Sequence, residues 1–407
     1  MTNEEYIHLN READIRPLAL KKAPEGVDVS WCLRQIEGYQ LAKRKLPSWS
    51  EIEGIWYPPR LSMEQCSSEP AAEYKRTIAA RLAGNQKGAF LVDLTGGFGV
   101  DFAYMAQKFR NALYVERQEV LCDAARHNFQ LLGLKQAQVL NADSAEVLDS
   151  IETVDVIYMD PARRSSSGRK TVAIADCTPD IVSMQEKLLC KGKYVIVKLS
   201  PMLDISQALG ALKNVKEVHV VSVKGECKEL LFVLEAVLGE VSAVTFYCVN
   251  LDTKDAPLIA LCSAHGRAEI AIVSHEGLKG MLLFEPNASI LKGGMQAEFS
   301  AQYGVRQLHP QSNLFVCTQN KCKSMGEDGF LHIPARSFRI VEATDFSRQA
   351  LKTILKDTPR GNLTVRNFPA TVSDLRKKLK LQDGGDTYFF ATTLHDGKHA
   401  LIKCRKR

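Results

Sequence analysis

The sequence VDLTGGFGVDFAYMAQKF, residues 92–109, combines a short apolar strand, a glycine-rich turn and an amphipathic helix. Such a strand–turn–helix unit is typical of α/β proteins that bind nucleotides or cofactors. The turn lacks the Lys-Ser/Thr pair of a P-loop, and Phe102 occupies the third glycine position of a dinucleotide fingerprint. It begins instead with Asp93, whose carboxylate repels phosphate and attracts a cation. The stretch therefore predicts a site for a cationic ligand without phosphate.

Three further carboxylates come at the ends of successive predicted strands. Glu116 ends LYVE, Asp143 follows AQVLN, and Asp160 ends VIYMD. Because the carboxyl ends of parallel strands meet at one edge of a sheet, we expect these acids to surround one crevice with Asp93. S-adenosylmethionine has an amino group, a sulfonium and no phosphate, so it fits a crevice lined by carboxylates. Helix or loop capping explains one or two of these acids but not the series.

The glycines of the turn complete the predicted donor site. They let the backbone approach a ligand closely and adopt positive φ. Glu116 is placed to accept hydrogen bonds from the ribose hydroxyls, and Asp143 to accept one from the adenine amino group. We predict donor contacts from Asp93, Thr95, Gly96, Gly97, Gly99, Glu116, Arg117, Asp143 and Asp160.

The composition is that of a globular protein. The 407 residues are 45% hydrophobic and 25% charged, and a chain of this length is expected to form about two to four domains. No apolar run predicts a membrane span, and the charged N-terminus lacks the apolar core of a signal peptide. Because its 11 cysteines come without such a signal, we expect a cytoplasmic protein with reduced thiols and no metal site. The oligomeric state stays open.

Strand and helix patterns alternate between residues 89 and 238, after a helical N-terminal region. This alternation predicts a parallel sheet with helices on both faces. The last two strands are separated only by KGECK, which predicts an antiparallel hairpin at the sheet edge. Residues 338–407 show the order β-α-β-α-β-β, with turns at PRGN, DGGD and HDGK.

The motifs DLTGGFGVD, YVERQ, MDPARR, KLSPMLD, VSVKGECKEL and RNFP…LRKKLKLQDGGDTYFFATTLHDGKHALI resemble those of bacterial class I methyltransferases with a C-terminal THUMP-like domain. The resemblance covers most of the chain. It implies a Rossmann-like α/β sheet, S-adenosylmethionine as cofactor, and an RNA methyltransferase of undefined target. The expected domains are a helical subdomain (1–86), the methyltransferase domain (87–240), a small α+β ferredoxin-like domain (241–330) and a basic THUMP-like domain (331–407).

The acceptor atom is less constrained by the sequence. Enzymes that methylate exocyclic amines typically carry Asp/Asn-Pro-Pro-aromatic after the fourth strand, but here Ala162 and Arg163 follow Asp160-Pro161. Carbon-5 methylation needs a thiolate, and Cys177 lacks the flanking pattern of such enzymes.

A third possibility is methylation of the ribose 2′-oxygen. Lys75, Asp160, Lys198 and Glu229 resemble the Lys–Asp–Lys–Glu tetrad of the heat-shock rRNA methyltransferases. In this hypothesis Lys198 is the base, with a pKa lowered by burial and neighbouring charge, Asp160 and Glu229 orient it, and Lys75 adds positive potential. Alternatively, Lys198 caps a sheet end and Glu229 pairs with Lys224 or Lys228.

Two basic segments are predicted to contact RNA, either tRNA or rRNA. Sixteen basic and seven acidic residues lie between Leu331 and Arg407, which favours a polyanionic partner over a merely solubilising tail. In this region we expect contacts to the RNA phosphate backbone from Arg366, Arg376, Lys377, Lys378 and Lys380. We also expect RNA bases to stack on some of Tyr388, Phe389 and Phe390. The loop after Asp160 offers Arg163, Arg164, Arg169 and Lys170 as phosphate contacts, unless it is simply solvated. A protein or small-molecule substrate, or a non-catalytic RNA-binding role, stays open as an alternative.

Overall fold

In the computed structural model the chain forms two units. Residues 1–219 and 228–244 make the first unit, and residues 220–227 and 245–407 make the second. The structure describes residues 1–22, 24–84, 88–163, 174–236, 243–251, 258–260, 267–318 and 333–407. No helix in these ranges is long and apolar enough to cross a bilayer.

The first unit begins with helices, as the sequence predicts. They are α1 (Asn3–Asn10), α2 (Ile15–Ala19), α3 (Val29–Lys45), α4 (Pro47–Ser50), α5 (Arg60–Gln65) and α6 (Glu69–Ala83). Asp28 starts α3 by accepting a hydrogen bond from the Trp31 N–H at 3.0 Å. Gly84 ends α6 with a φ of +63°. The last of these helices leads directly to the first strand.

A predominantly parallel sheet forms the body of the first unit. It contains β1 (Phe90–Asp93), β2 (Asn111–Glu116), β3 (Ala137–Asn141), β4 (Val154–Met159), β7 (Gly192–Leu199), β8 (Val215–Val223) and β9 (Glu226–Glu235). The short strands β5 (Ala162–Arg163) and β6 (Cys177–Thr178) form a separate antiparallel pair. The spatial order β9–β7–β4–β1–β2–β3 is parallel except for β9, which runs antiparallel to β7. The predicted Rossmann-like sheet is therefore confirmed.

Five helices connect these strands. They are α7 (Val100–Ala106), α8 (Glu119–Leu131), α9 (Ser144–Ser150), α10 (Ile181–Lys191) and α11 (Ile205–Ala211). Helix α7 follows the glycine turn, and all seven of its residues are buried. Because an entire helix with an acid in its first turn is buried, that acid needs partners inside the protein.

The β8–β9 hairpin turns at Lys224 and Gly225, which both have positive φ, as a tight two-residue turn requires. Its tip, residues 220–227, belongs to the second unit. There β10 (Thr245–Asn250) lies beside β8 and pairs with β11 (Leu258–Ala260), and the Leu251 N–H donates to the Ser222 carbonyl at 2.9 Å. The predicted edge position of the hairpin is wrong, because β10 satisfies backbone groups that an edge strand would leave to water.

The second unit contains a seven-stranded sheet with the order β13–β14–β12–β15–β18–β17–β16. Its elements are β12 (Leu282–Pro286), α12 (Ala288–Gly293), α13 (Gln296–Tyr303), β13 (Arg306–Gln307), β14 (Phe315–Cys317), β15 (Ala335–Thr344), α14 (Arg348–Ile354), β16 (Asn362–Arg366), α15 (Val372–Leu379), β17 (Thr387–Thr393) and β18 (His399–Lys406). The predicted β-α-β-α-β-β order from residue 338 onward is confirmed.

Both faces of β17 are packed. Phe390 is fully buried in one hydrophobic core with Phe338, and Phe389 is fully buried in another with Leu363. A Cβ at Gly361 would lie only 2.6 Å from Cε2 of Phe389, so the phenyl ring occupies space that any other residue would fill. Of the three aromatic residues considered for base stacking, Phe389 and Phe390 are therefore excluded, because neither ring is accessible.

Candidate active site

A cavity of about 1070 Å³ opens at the carboxyl ends of the strands in the first unit. The turn after β1 lines it together with residues that follow β2, β3, β4 and β7. Its lining includes all nine residues predicted to contact the donor: Asp93, Thr95, Gly96, Gly97, Gly99, Glu116, Arg117, Asp143 and Asp160. This is the crevice in which α/β sheets of this kind bind their ligands.

The glycine turn is shaped by an aromatic ring behind it. Gly97 and Gly99 have φ of +55° and +84°, as expected for a turn of glycines. Gly96 is needed for another reason, because a Cβ there would lie 2.1 Å from Cε2 of Tyr114. The Tyr114 hydroxyl also donates a 2.5 Å hydrogen bond to the Gly97 carbonyl. The tyrosine thus fixes the turn from the side of the core.

Asp93 is almost completely buried, with 1% of its surface exposed. Burial raises the pKa of its carboxyl well above the usual 3.8, and the nearby acids Asp101, Asp160 and Glu116 raise it further, although the Thr95 N–H donates to Oδ1 at 2.9 Å. Thr95 also joins two strand ends, because its hydroxyl accepts a hydrogen bond from the Asp160 N–H at 2.6 Å. A cationic ligand would supply the positive charge that no described residue provides to Asp93.

Two further donor-site acids, Glu116 and Asp143, are held by backbone N–H groups. Glu116 accepts from Gly97 at 3.0 Å and from Gln118 at 2.9 Å. Asp143 caps α9 by accepting from Ala145 at 2.8 Å. Each carboxylate oxygen can accept more than one hydrogen bond, so this anchoring is compatible with ligand binding. The residues present therefore fit a donor with cationic and hydroxyl groups.

The four tetrad residues meet beside this cavity. Lys198 Nζ lies 2.5 Å from Asp160 Oδ2, and Lys75 Nζ lies 2.6 Å from Glu229 Oε1. Only Lys198 and Asp160 line the cavity, however, whereas Lys75 has no exposed surface and Glu229 has 3%. Lys75 and Glu229 therefore lie in the protein interior next to the site, where they can orient other residues but cannot touch a substrate.

The charge state of Lys198 differs from the prediction. Burial alone lowers the pKa of its ammonium, as expected, but attraction to Asp160, Asp101 and Glu229 outweighs burial, and the net pKa is raised. A lysine whose pKa is raised is protonated at neutral pH and cannot accept a proton. The predicted lowering of the Lys198 pKa is therefore wrong for this arrangement, because three carboxylates surround the ammonium.

Asp101 is the central residue that the sequence reasoning missed. It lies in the first turn of α7, and its carboxylate contacts Lys75, Ser67 and Tyr158 and approaches Lys198. A signal was present, since Asp101 is the one acid in the otherwise uncharged segment VDFAYMA. Its partners could not be read from spacing, because they come from four other parts of the chain.

The N-terminal helices contribute an unpredicted wall. Ser62, Glu64, Gln65, Cys66 and Ser67, at the end of α5 and the start of the turn to α6, line the cavity. Lys45 holds this turn by donating to the carbonyls of Met63 at 3.0 Å and Glu64 at 2.7 Å. No motif marks this wall, because local sequence does not reveal which helix end faces a site. Cys177 is buried in the same lining.

The predicted RNA contacts are only partly accessible. Arg366 forms an ion pair with the buried Glu285 at 2.6 Å, and Arg376 pairs with Asp383, so these two guanidinium groups already hold carboxylates. The side chains of Lys377, Lys378 and Lys380 are exposed, whereas Tyr388 is half-buried. Arg163 lies in β5, and Arg164, Arg169 and Lys170 lie outside the described residues.

A sheet with one antiparallel strand, a glycine turn after β1 and acids at the strand ends define a class I methyltransferase fold. A crystal structure of a candidate methyltransferase from Porphyromonas gingivalis W83 is similar over nearly the whole length: the sequences are 31% identical, the match covers 99% of this chain and 97% of that one, and the TM-score is 0.81. An S-adenosylmethionine-dependent methyltransferase of Mycobacterium tuberculosis H37Rv, described as uncharacterized, is 25% identical over 328 residues, 79% of this chain and 80% of the relative.

Two family matches cover parts of the second unit. Residues 282–322 match a ferredoxin-like domain, and residues 335–406 match the THUMP domain-like family. The chain belongs to the family of the Porphyromonas gingivalis protein, the S-adenosylmethionine-dependent methyltransferases, and its C-terminal part is THUMP-like.

Proposed function

We propose that this protein methylates structured RNA and that its acceptor is a ribose 2′-oxygen. The observation that carries the proposal is the convergence of Lys75, Asp160, Lys198 and Glu229 beside the donor cavity. The THUMP-like match and the basic excess after residue 331 support RNA as the substrate. The replacement of the usual aromatic by Arg163 argues against an exocyclic base amine.

S-adenosylmethionine, when bound, supplies an electrophilic methyl carbon. Asp93, Glu116 and Asp143 would bind its charged and hydroxyl groups, and the glycine turn would let the backbone approach it. Holding donor and acceptor in line is the main task of such a site, because alignment removes most of the entropic barrier.

The proton of the acceptor hydroxyl needs a destination when the oxygen takes the methyl group. Lys198 is charged in this arrangement, so Asp160, whose side chain is 37% exposed, is the group that can accept the proton. The Lys198 ammonium fixes the Asp160 carboxylate and can donate a hydrogen bond to the acceptor oxygen. Both residues therefore act at the acceptor, with Lys198 as a hydrogen-bond donor.

A base nitrogen is the second candidate acceptor. The charged state of Lys198 favours it, because a base nitrogen can attack before it loses its proton and needs only a weak base such as a carboxylate. The two acceptors give chemically different products and can be separated in one assay.

The test uses total RNA from a strain that lacks the gene, incubated with the full-length protein and tritiated donor. Alkaline hydrolysis requires a 2′-hydroxyl, so ribose methylation leaves label in alkali-resistant dinucleotides, whereas base methylation leaves it in mononucleotides. We expect labelled dinucleotides, and their loss with Asp160→Ala. Labelled mononucleotides would overturn the ribose assignment. Donor binding without any labelled RNA would favour another substrate or a non-catalytic role.

A further inference from the structure

Asp101 occupies the centre of a buried group of charges. Its Oδ2 accepts hydrogen bonds from the Tyr158 hydroxyl at 2.7 Å and the Ser67 hydroxyl at 2.9 Å, and lies 3.9 Å from Lys198 Nζ. Its Oδ1 lies 3.1 Å from Lys75 Nζ, yet has no hydrogen-bond partner among the described residues. One carboxylate is thus shared between two lysines that come from α6 and β7.

We propose that Asp101 is a positioning residue that holds the Lys198 ammonium beside Asp160. It thereby links the glycine turn of the donor site to the two residues assigned to the acceptor. This inference rests on the proposed function, because it assigns Lys198 and Asp160 to the acceptor. Asp101 lies in the first turn of the helix that follows the glycine turn, so a donor that orders this turn would also fix the carboxylate near Lys198.

The charges around Lys198 explain why Asp101 is needed. Asp160 contacts the ammonium from the cavity side and is partly exposed, whereas Asp101 approaches it from the buried side. Lys75 competes for the same Asp101 carboxylate, but Glu229 binds Lys75 through both oxygens, at 2.6 and 2.7 Å. Removing the charge of Asp101 would leave the Lys198 ammonium dependent mainly on Asp160, whose side chain is 37% exposed.

The Ser67 contact extends this link to the cavity wall. Ser67 belongs to the turn between α5 and α6, and its hydroxyl also accepts a hydrogen bond from Lys75 Nζ at 2.9 Å. The α5–α6 turn and Lys198 therefore both approach one carboxylate, which belongs to the helix that follows the glycine turn. Among the described residues, the titratable groups that face this carboxylate are Lys75, Lys198, Tyr158, Cys66 and Asp93, and Glu229 shares Lys75 and Ser67 with it.

The test is Asp101→Asn in the full-length protein, with the reactivity of Lys198 as the main readout. Acetic anhydride labels only neutral amines, so the pH at which half of Lys198 is acetylated in a fixed time, here called the Lys198 midpoint and measured by mass spectrometry, falls when its pKa falls and needs no methyl acceptor. Without the negative charge of Asp101, we expect the midpoint to fall by about one pH unit or more. We also expect methyl transfer to slow roughly tenfold or more while donor affinity changes less than about threefold.

Glu217→Gln is the matched control. Glu217 is as buried as Asp101 and pairs with Arg81, but it does not line the cavity. This variant should weaken folding without moving the Lys198 midpoint. A folded Asp101→Asn protein with the wild-type Lys198 midpoint would overturn the proposal.

If Asp101→Asn does not fold, Ser67→Ala provides a second test of the proposal. It removes one hydrogen bond to Asp101, and we expect a smaller shift of the Lys198 midpoint in the same direction. Ser48→Ala is its control, because Ser48 bonds to Tyr104, another residue of α7, at 3.0 Å. An equal midpoint in both serine variants would contradict the inference.

Failure of the proposed function would give a different result. The wild-type protein would methylate no RNA, although Asp101→Asn would still shift the Lys198 midpoint.

Discussion

Asp93 is buried without a positive partner among the residues that the structure describes, and its carboxyl carries a raised pKa. A carboxyl whose pKa is raised on folding lowers stability once the pH exceeds the unfolded value of 3.8, and this cost grows until the pH passes the folded value. Asp93→Asn keeps the shape of the side chain and removes this cost. We therefore expect the variant without donor to be more stable than wild type at pH 7, as measured by urea unfolding.

The same substitution should weaken donor binding. A cationic donor favours the ionised carboxylate, so at pH values below the raised pKa of Asp93 in the donor-free protein, binding to wild type should release a proton and tighten as the pH rises. For Asp93→Asn we expect a loss of at least about tenfold in affinity, or 1.4 kcal/mol, and no proton release. Calorimetry in buffers of different ionisation enthalpy measures both. Unchanged proton release would show that another group titrates.

Glu217 gives the first unit an acid-sensitive contact. Burial raises the pKa of its carboxyl, but hydrogen bonds from His219 and Arg81 outweigh burial and lower it from 4.5 to about 2. A lowered carboxyl pKa stabilises the fold above pH 4.5, and this contribution disappears as the pH falls to about 2. Glu217→Gln should cost about 1 to 3 kcal/mol at pH 7. It should also flatten the dependence of unfolding free energy on pH between 4.5 and 2, whereas a wild-type slope in this window would contradict the assignment.

The sequence could predict which residues line the donor cavity, because acids at strand ends meet wherever a parallel sheet forms. It could not predict how Lys198 titrates. That property depends on distances to Asp160, Asp101 and Glu229, which come from three different elements. The role of Asp101 could not be predicted for the same reason, since its partners are distant along the chain.

At the scale of elements, the glycine turn is constrained most tightly at Gly96. An alanine methyl group there would overlap the Tyr114 ring, which is fixed by its hydrogen bond to Gly97. We expect Gly96→Ala to destabilise the protein by about 2 kcal/mol or more and to abolish donor binding by displacing the turn. Urea unfolding and calorimetry are the measurements.

Gly210→Ala is the control for this substitution. Gly210 lies in α11, and no atom lies within 4 Å of a Cβ at this position. This variant should retain donor binding and be neutral or slightly more stable, because alanine favours helix over glycine by about 1 kcal/mol. If Gly96→Ala behaved like Gly210→Ala, the role assigned to Tyr114 would be wrong.

The elements themselves were largely predictable from apolar periodicity and turn residues, including the β-α-β-α-β-β order at the C-terminus. It was harder to predict from the sequence which elements would pack against each other. The pairing of β8 with β10 and the α5–α6 wall of the cavity both depend on contacts between segments with no shared local signal. Periodicity indicates that a face is buried, but it does not identify what buries it.

At the scale of the whole molecule, the basic C-terminal region should give salt-dependent RNA binding. Lys377 and Lys378 are exposed on α15, so replacing both with Glu should weaken RNA binding about tenfold or more. If each contacts a phosphate, the slope of log affinity against log salt should also fall by roughly one to two. Donor affinity should not change. Filter binding across a salt series is the measurement.

Lys21→Glu with Lys22→Glu is the matched control, since both lysines are exposed near the N-terminus and the change in net charge is the same. Equal losses in both double variants would indicate only a general charge effect. No loss in either would remove the support for RNA contacts on α15.

The small gap at Gly361 has a consequence for how the C-terminal sheet assembles. Phe389 and Phe390 make the two sides of β17 equally apolar, so sliding this strand by one residue would exchange one buried ring for the other at little hydrophobic cost. Gly361 removes this ambiguity, because it accommodates a phenyl ring at only one alignment of β16 with β17. A larger side chain there would allow mispaired strands during synthesis, and mispaired strands of this kind aggregate.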